Sequence, residues 1–366
     1  MIETVVIFII VIAVLIFIHE LGHFLVARAF GIRVDEFALG FGPVLYKKQS
    51  GECLYSIRAI PFGGYVKIFG ETPDEDSTNG KDASRSFVNK SRPIQAAVLV
   101  AGIAFNLIFA WILISSAFMI GTGVSPSDYT QYASDIKNIR VTIVDVAKNS
   151  PAEKAGIHVG DTISTFNGKD VSNPDIDIEQ IQTGIKESGG KAVLIGTTSV
   201  IPEKGTNPDD PNSYAIGIAM DKGGTLRLAP WFAVWEGAKF TWYLIEKTVS
   251  GLYLLVVGLF HADKALLSQV SGPIGIAGMV GDAAHIGFTY LLMFTAMISI
   301  NLAIINLVPF PALDGGRIFF VGIESIIRKR IKSEIANTVN AVGFILLMIL
   351  MVVVMYHDII TKFFSK

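Results

Sequence analysis

Two histidines and a glutamate stand close together in the string His19-Glu20-Leu21-Gly22-His23. Histidines four apart lie on one face of an α-helix, one turn from each other. That spacing lets two imidazoles share one zinc ion, with the adjoining carboxylate placed to polarise a bound water. Cys53 is the only cysteine, so the chain forms no intrachain disulfide and offers no cysteine-based metal site. A further ligand must come from His, Asp or Glu.

The setting of these residues is apolar. Val5 to Ile18 is an unbroken apolar run, and apolar character resumes after His23 up to Ala27. From Thr4 to Ala27 the helix would be roughly 36 Å long, enough to cross a hydrocarbon core of about 30 Å. The segment opens Met-Ile-Glu, without a basic n-region or a small-x-small cleavage site, and so reads as a retained span rather than a signal peptide. Basic residues begin just after it, at Arg28 and Arg33, which places the N-terminus outside and Arg28 in the cytosol. His19 then lies about 22 Å along the helix from Thr4, in the cytosolic third of the bilayer. Each ionisable group inside a span costs on the order of 2.5–3.5 kcal/mol. A zinc site supplies about 10–16 kcal/mol in structural cases, an adequate reason to keep all three.

The whole chain agrees with a membrane setting. Of 366 residues, 51% are hydrophobic and 17% charged, with a mean hydropathy of +0.52, well to the apolar side of soluble usage. A net charge of −2 gives no reason to expect nucleic-acid binding. Between Arg28 and Arg92 lie ten Lys/Arg residues, consistent with a cytosolic side. Residues 29–92 begin as glycine-punctuated, alternating segments, among them Pro61-Phe62-Gly63-Gly64-Tyr65-Val66-Lys67-Ile68, which read as β-hairpins. Strand backbone near a membrane must be covered or line a cavity, so an edge near Gly63, Gly64 and Tyr65 could pair with an incoming peptide. From Glu71 to Arg92 the composition turns polar and predicts a solvated, mobile connector.

Residues 93–120 read as a second span carrying Gln95 and Asn106, the latter more suited to a helix contact than to the site. Residues 121–229 are soluble in character. Val141–Val146, Ser150-Pro151-Ala152 with Gly156, Gly160-Asp161 and Asn167-Gly168 make a compact α+β module, closed by a strand at Tyr214–Ile218. The module resembles a PDZ domain of the bacterial protease-associated kind, which binds extended peptides or chain ends. Residues 230–287 carry Glu236, Lys239, Glu246 and Lys247 at helical spacings behind three tryptophans, predicting an amphipathic, interface-lying helix and a turn-rich linker. Residues 288–316 form the third span, 317–334 a basic cytosolic loop, and 335–366 the fourth span and an outside C-terminus.

The third span ends in Pro309-Phe310-Pro311-Ala312-Leu313-Asp314-Gly315-Gly316. Two prolines two apart stop the regular helix, which is tolerated where the segment lines a cavity. Both this span and the first run from outside to inside, so an acid at the break sits at the depth of His19 and His23. Asp314 is therefore the expected third ligand, with Glu324 and His285 as the runners-up.

Taken together, these strings resemble the site-2 protease family of intramembrane zinc metalloproteases, in particular its bacterial RseP/RasP-type branch. The resemblance rests on His19-Glu20-Leu21-Gly22-His23, Gly40-Phe41-Gly42-Pro43, Pro61-Phe62-Gly63-Gly64-Tyr65, the inserted module and Ser271-Gly272-Pro273-Ile274-Gly275. It also includes Asn306-Leu307-Val308-Pro309-Phe310-Pro311-Ala312-Leu313-Asp314-Gly315, which fits the family's N-x-x-P-x-P-x-L-D-G at every fixed position. It implies that His19, His23 and Asp314 bind Zn2+, that Glu20 is the catalytic acid/base, and that the Gly-rich loop and Asn306, with Asn301 beside it, hold substrate. It further implies cleavage of single-span membrane proteins, such as anti-sigma factors or signal-peptide remnants, by a multi-pass protein of the bacterial cytoplasmic membrane, near the cytosolic face. Some family members carry two PDZ modules, and this chain has room for one.

The expected fold is thus a polytopic α-helical membrane protein with four transmembrane helices, a membrane-associated β-hairpin loop and an inserted extracytoplasmic α+β PDZ domain. Its partners would be the lipid bilayer, a single-span substrate and a peptide or chain end at the PDZ domain, with no nucleic acid. A membrane-anchored PDZ adaptor with a structural metal site is the rival from another class, and an intact Glu20 argues against it. A metal transporter would show internal repeats, and the two halves of the chain show none.

Overall fold

The computed structural model describes residues 2–171, 178–207, 210–261 and 271–360. Residues 172–177 and 208–209 of the expected PDZ domain, 262–270 of the linker and 361–366 after the last span lie outside the described residues, as does the side chain of Phe62. Contacts divide the chain into a unit of residues 1–117 and 231–366 and a second of residues 118–230.

The first unit is built on long apolar helices: α1 (Ile2–Ala29), α3 (Arg92–Ile120), α6 (Pro230–His261), α7 (Pro273–Ile286), α8 (Phe288–Leu307), α9 (Asp314–Ile327) and α10 (Ser333–Ile359). Among the described residues, five helices are long and apolar enough to cross a membrane, one more than the four spans counted in the sequence. The fifth is Pro230–Gly258, whose mean hydropathy of 1.2 is the lowest of the set. Its charges are partnered along the same helix: Lys239 bonds Glu236 at 2.9 Å, and Trp242 Nε1 donates to Glu246 at 2.7 Å. α6 also runs beside other helices rather than standing apart from them. Gly237 faces Ser115 of α3, and Thr248 donates to Asn301 of α8 at 3.0 Å.

Small residues set the closest helix approaches. A Cβ on Gly22 of α1 would lie 2.5 Å from the Ala101 carbonyl oxygen of α3. Gly281 of α7 packs on Thr4 of α1. Above the histidines, Val11, Leu15 and Val280 form a buried cluster with Ile276, Phe294 and Ile298.

Between α1 and α3 the chain forms strands β1 (Val34–Ser50) and β2 (Cys53–Ile68). The hairpins expected here are one long hairpin curled on itself. Phe37 pairs with Val66 on one side and Tyr55 on the other, while Tyr46 pairs with Ile57 and Gln49 with Leu54. The first half of β1 is therefore enclosed by the two halves of β2, which leaves Gly64–Ile68 and the second half of β1 at the edges. Tyr65 stacks on Phe41 with ring centroids 6.2 Å apart, and Arg58 lies over its ring. Burial pushes the Glu36 carboxyl up, but hydrogen bonds from Ser56, Arg58 and Tyr65 outweigh it and hold the group below its ordinary range.

The connector from Glu71 to Arg92, expected to be solvated and mobile, is exposed over residues 72–76 but is capped and, at residues 86–88, packed. Asp74 caps α2 (Glu75–Asn79) in a reciprocal capping box, and Arg33 reaches Asp82 at 2.7 Å. Phe87 and Val88 are buried, with Phe87 in a cluster that includes Phe24, Ile32, Val34 and Phe37. Two apolar side chains in the polar stretch were enough to anchor it.

The second unit is α+β. Strands β3 (Thr122–Val124), β4 (Ile136–Val146), β5 (Thr162–Ile163) and β12 (Ile218–Leu226) form a sheet of order β3-β12-β4-β5. Strands β6 (Thr165–Phe166), β7 (Lys169–Asp170), β8 (Val193–Ile195) and β9 (Thr198–Val200) form another, of order β7-β6-β8-β9. Ser150 caps α4 (Pro151–Lys154), and Asn167-Gly168, both at positive φ, turn β6 into β7, as a two-residue hairpin of this twist requires. Tyr214–Ala215, expected as part of a closing strand, forms β11 and pairs with β10 (Glu203–Lys204). β12 closes the first sheet in its place. Ile181 and Ile185 of α5 (Ile178–Glu187) join Val141, Ile143, Ile163 and Ile216 in the core.

Phe87→Ala should lower the unfolding free energy by on the order of 3 kcal/mol. The check is a thermal or denaturant midpoint in detergent; an unchanged midpoint would return the connector to the mobile class.

Candidate metal centre

α1 presents His19 and His23 on one face, 8% and 7% exposed, with ring centroids 4.8 Å apart. Their Nε2 atoms are 3.3 Å apart. The third group arrives from a different part of the chain. α8 stops at Leu307, and the two-proline segment leads to Asp314, the first residue of α9. The turn is tight: Ala312 has φ +74, and a Cβ on Gly315 would lie 2.5 Å from the Leu307 carbonyl oxygen. A Cβ on Gly316 would collide with the Phe310 carbonyl. Only glycines let α9 start this close to the end of α8, and the favourable helix N-terminus then carries the acid.

Asp314 Oδ2 lies 3.0 Å from His19 Nε2 and 3.2 Å from His23 Nε2. Tetrahedral zinc with ligands at about 2.0–2.1 Å requires ligand atoms about 3.3 Å apart. The three atoms meet that requirement together. Asp314 Oδ2 is buried without a hydrogen-bond donor, which suits a carboxylate oxygen directed at a cation. The donor set of two imidazoles and one carboxylate is that of catalytic zinc, with a fourth position left for water. Among the described residues this is the only cluster of three His, Cys, Asp or Glu side chains able to hold a metal.

Glu20 adjoins the cluster from the same turn of α1, with its Cγ 3.7 Å from where a Cβ on Gly64 would stand. The strand edge at Gly64 thus lies against the helix that carries the metal motif. Gly64 also packs on Ile16, and a Cβ there would stand 2.9 Å from the Ala38 carbonyl oxygen. Gly63 has φ +118, and a side chain there would strike the Phe41 ring. The remaining expected residues divide. Tyr65 belongs to the Glu36–Arg58 cluster of the sheet. Asn301 is occupied by Thr248. Asn306 is half-buried in the last turn of α8, just ahead of the proline break. The runners-up are not brought in: Glu324 pairs with Arg92 at 2.6 Å and accepts from Ile331, and His285 is exposed on α7.

α3 contributes what the spacing of motifs did not reveal. His23 Nδ1 donates to the Val98 carbonyl at 2.8 Å, and Asn106 lies 3.2 Å from His19 Nδ1. Between them Gly102 abuts both rings; a Cβ there would come within 2.8 Å of His19 Cε1 and closer still to His23 Nε2. A glycine and an asparagine four apart within an apolar span were the available signal. Arg317, one turn beyond Asp314, pairs with Glu71 of the connector.

The sequence profile of peptidase family M50 matches residues 7–350. This chain belongs to that family. A Clostridium perfringens relative whose name carries the words zinc metalloprotease is 36% identical over 354 residues, covering 94% of this chain and 95% of its own. A Clostridium acetobutylicum relative of similar name is 35% identical, covering 97% of each chain. The zinc metalloprotease RasP of Oceanobacillus iheyensis is 29% identical over 443 residues, covering 97% of this chain and 98% of its own. The M50 chain described here is accordingly a zinc metalloprotease of membrane character.

Gly102→Ala should cut the zinc bound per chain several-fold while leaving helix content unchanged, because its methyl occupies space next to both imidazoles. Metal analysis beside circular dichroism reads this; full zinc occupancy would show that the rings can move aside.

Proposed function

We propose that this M50 enzyme cleaves peptide bonds inside the membrane-spanning segments of single-span proteins, at a zinc site formed by His19, His23 and Asp314, with Glu20 as general base and acid. The observation that carries the reading is the placement of three ligand atoms 3.0–3.3 Å from one another, two of them on a helix of mean hydropathy 2.9. Zinc bound there would supply Lewis acidity and make water a competent nucleophile near neutral pH. Glu20 takes the proton of the attacking water and delivers it to the leaving amine.

A helical substrate hides its carbonyls in its own hydrogen bonds, so it must be opened before attack. The Gly64–Ile68 edge of the curled sheet, lying against the Glu20 turn, suits a role as the strand that receives it. Asn306 at the proline break is suited to hold the opened segment. In this reading four of the five long helices span the membrane and α6 lies in the interface, with the N- and C-termini and the 118–230 unit outside and the site toward the cytosolic face. In the second unit, a cavity of about 500 Å3 between α5 and the strands from Tyr214 to Met220 supports a PDZ-like groove for a peptide or chain end. Anti-sigma factors and signal-peptide remnants in a bacterial cytoplasmic membrane are the substrate classes that fit this arrangement.

Glu20→Gln in the purified protein should abolish cleavage of a single-span substrate while zinc stays bound. Cleavage that survives would remove Glu20 from the chemistry, whereas loss of both zinc and cleavage would make it a ligand. A proline at Gly64 disrupts the backbone of this edge; turnover should fall at least tenfold at constant zinc content, and unchanged turnover would retire the edge-addition step.

A further inference from the structure

Asn106 is wholly buried in α3, and its amide is the group nearest the rear nitrogen of His19: Nδ2 and His19 Nδ1 are 3.2 Å apart. The other end of the same amide, Oδ1, is buried without a partner. Oxygen and nitrogen of an amide are exchanged by a half-turn, and the assignment follows from the hydrogen bonds it makes. The half-turn leaves one amide end unpartnered either way, so the imidazole decides between them. His19 faces Asp314 and His23 with Nε2. A neutral imidazole that ligates through Nε2 carries its proton on Nδ1, and a buried N–H needs an acceptor. An amide nitrogen cannot accept it. Only Oδ1 can.

We propose that Asn106 is the positioning residue of His19, its Oδ1 accepting the Nδ1–H and thereby holding the tautomer and ring orientation that direct Nε2 at zinc. His23 already has the equivalent arrangement, with Nδ1 on the Val98 carbonyl at 2.8 Å. One helix, α3, thus backs both imidazoles, from positions two turns apart. Asn106 is itself held in register: Ser299 of α8 donates to its backbone carbonyl at 2.8 Å, a contact that side-chain substitution leaves in place. Removing such an outer partner of a metal-bound histidine lowers metal affinity by about 10–100-fold. The inference rests on His19 as a zinc ligand, and it separates Asn106 from the helix-contact role expected from sequence.

The test compares Asn106→Leu, which keeps the volume and loses the acceptor, with Asn106→Asp, which keeps an acceptor. Zinc affinity is measured by chelator competition on the full-length protein in detergent, and unfolding midpoints are measured with excess chelator. The Leu variant should bind zinc about 10–100-fold more weakly, and the Asp variant should match or exceed the wild-type affinity. In chelator, the Asp variant should unfold within a few degrees of wild type. A Leu variant within threefold of wild type, or an Asp variant as weak as Leu, would overturn the proposal. If the Leu protein does not fold, the Asp affinity alone decides, since a helix-contact role gives an added charge no reason to preserve zinc binding. His19→Ala is the control for the underlying reading: zinc retained there removes His19 as a ligand, whereas zinc lost there but kept in Asn106→Leu refutes Asn106 alone.

Discussion

Two imidazoles and a carboxylate meet in a bundle built mainly of apolar side chains, and the first unit is arranged around the cost of keeping them there. Each would be expensive in hydrocarbon, and together they are tolerable only if their polar atoms converge on one another or on a cation. Convergence to 3.0–3.3 Å demands close backbone approach, and the small residues stand where it occurs. Gly22 admits α3, Gly102 leaves room for the rings, and Gly315 and Gly316 bring the start of α9 under the end of α8. In a bundle without a hydrophobic driving force between helices, such small-residue contacts also supply much of the packing. The requirements of the metal site and of helix association are met by the same positions.

The convergence of His19, His23 and Asp314 was legible in the sequence because its information is local. Four-residue spacing puts His19 and His23 on one face, and two prolines declare where α8 ends and Asp314 begins. The contribution of α3 was not legible, because Val98 and Asn106 become partners of the histidines only through the register of one helix against another. A carbonyl such as that of Val98 has no side-chain signature at all. The sheet shows the same division. Glycines and alternation marked strands, but the curl that encloses the first half of β1 depends on pairings between distant residues.

The connector marks the opposite case, in which composition outweighed a few decisive residues. Polar content between Glu71 and Arg92 suggested solvation, yet Phe87 and Val88 carry enough apolar area to dock it. Four charged residues and three tryptophans suggested that α6 lies in the interface. Length and composition also qualify it as long and apolar enough to cross a membrane, and its charges are partnered along the helix.

The ligands are split across the chain, with two in its first helix and the third far downstream in α9. During synthesis the first helix enters the membrane long before Asp314 has been made, and α3, which backs both histidines, follows between them. Until α9 is in place the histidines supply only two of the three converging atoms. The order of the chain therefore completes the three-atom cluster only once α9 has been made and docked.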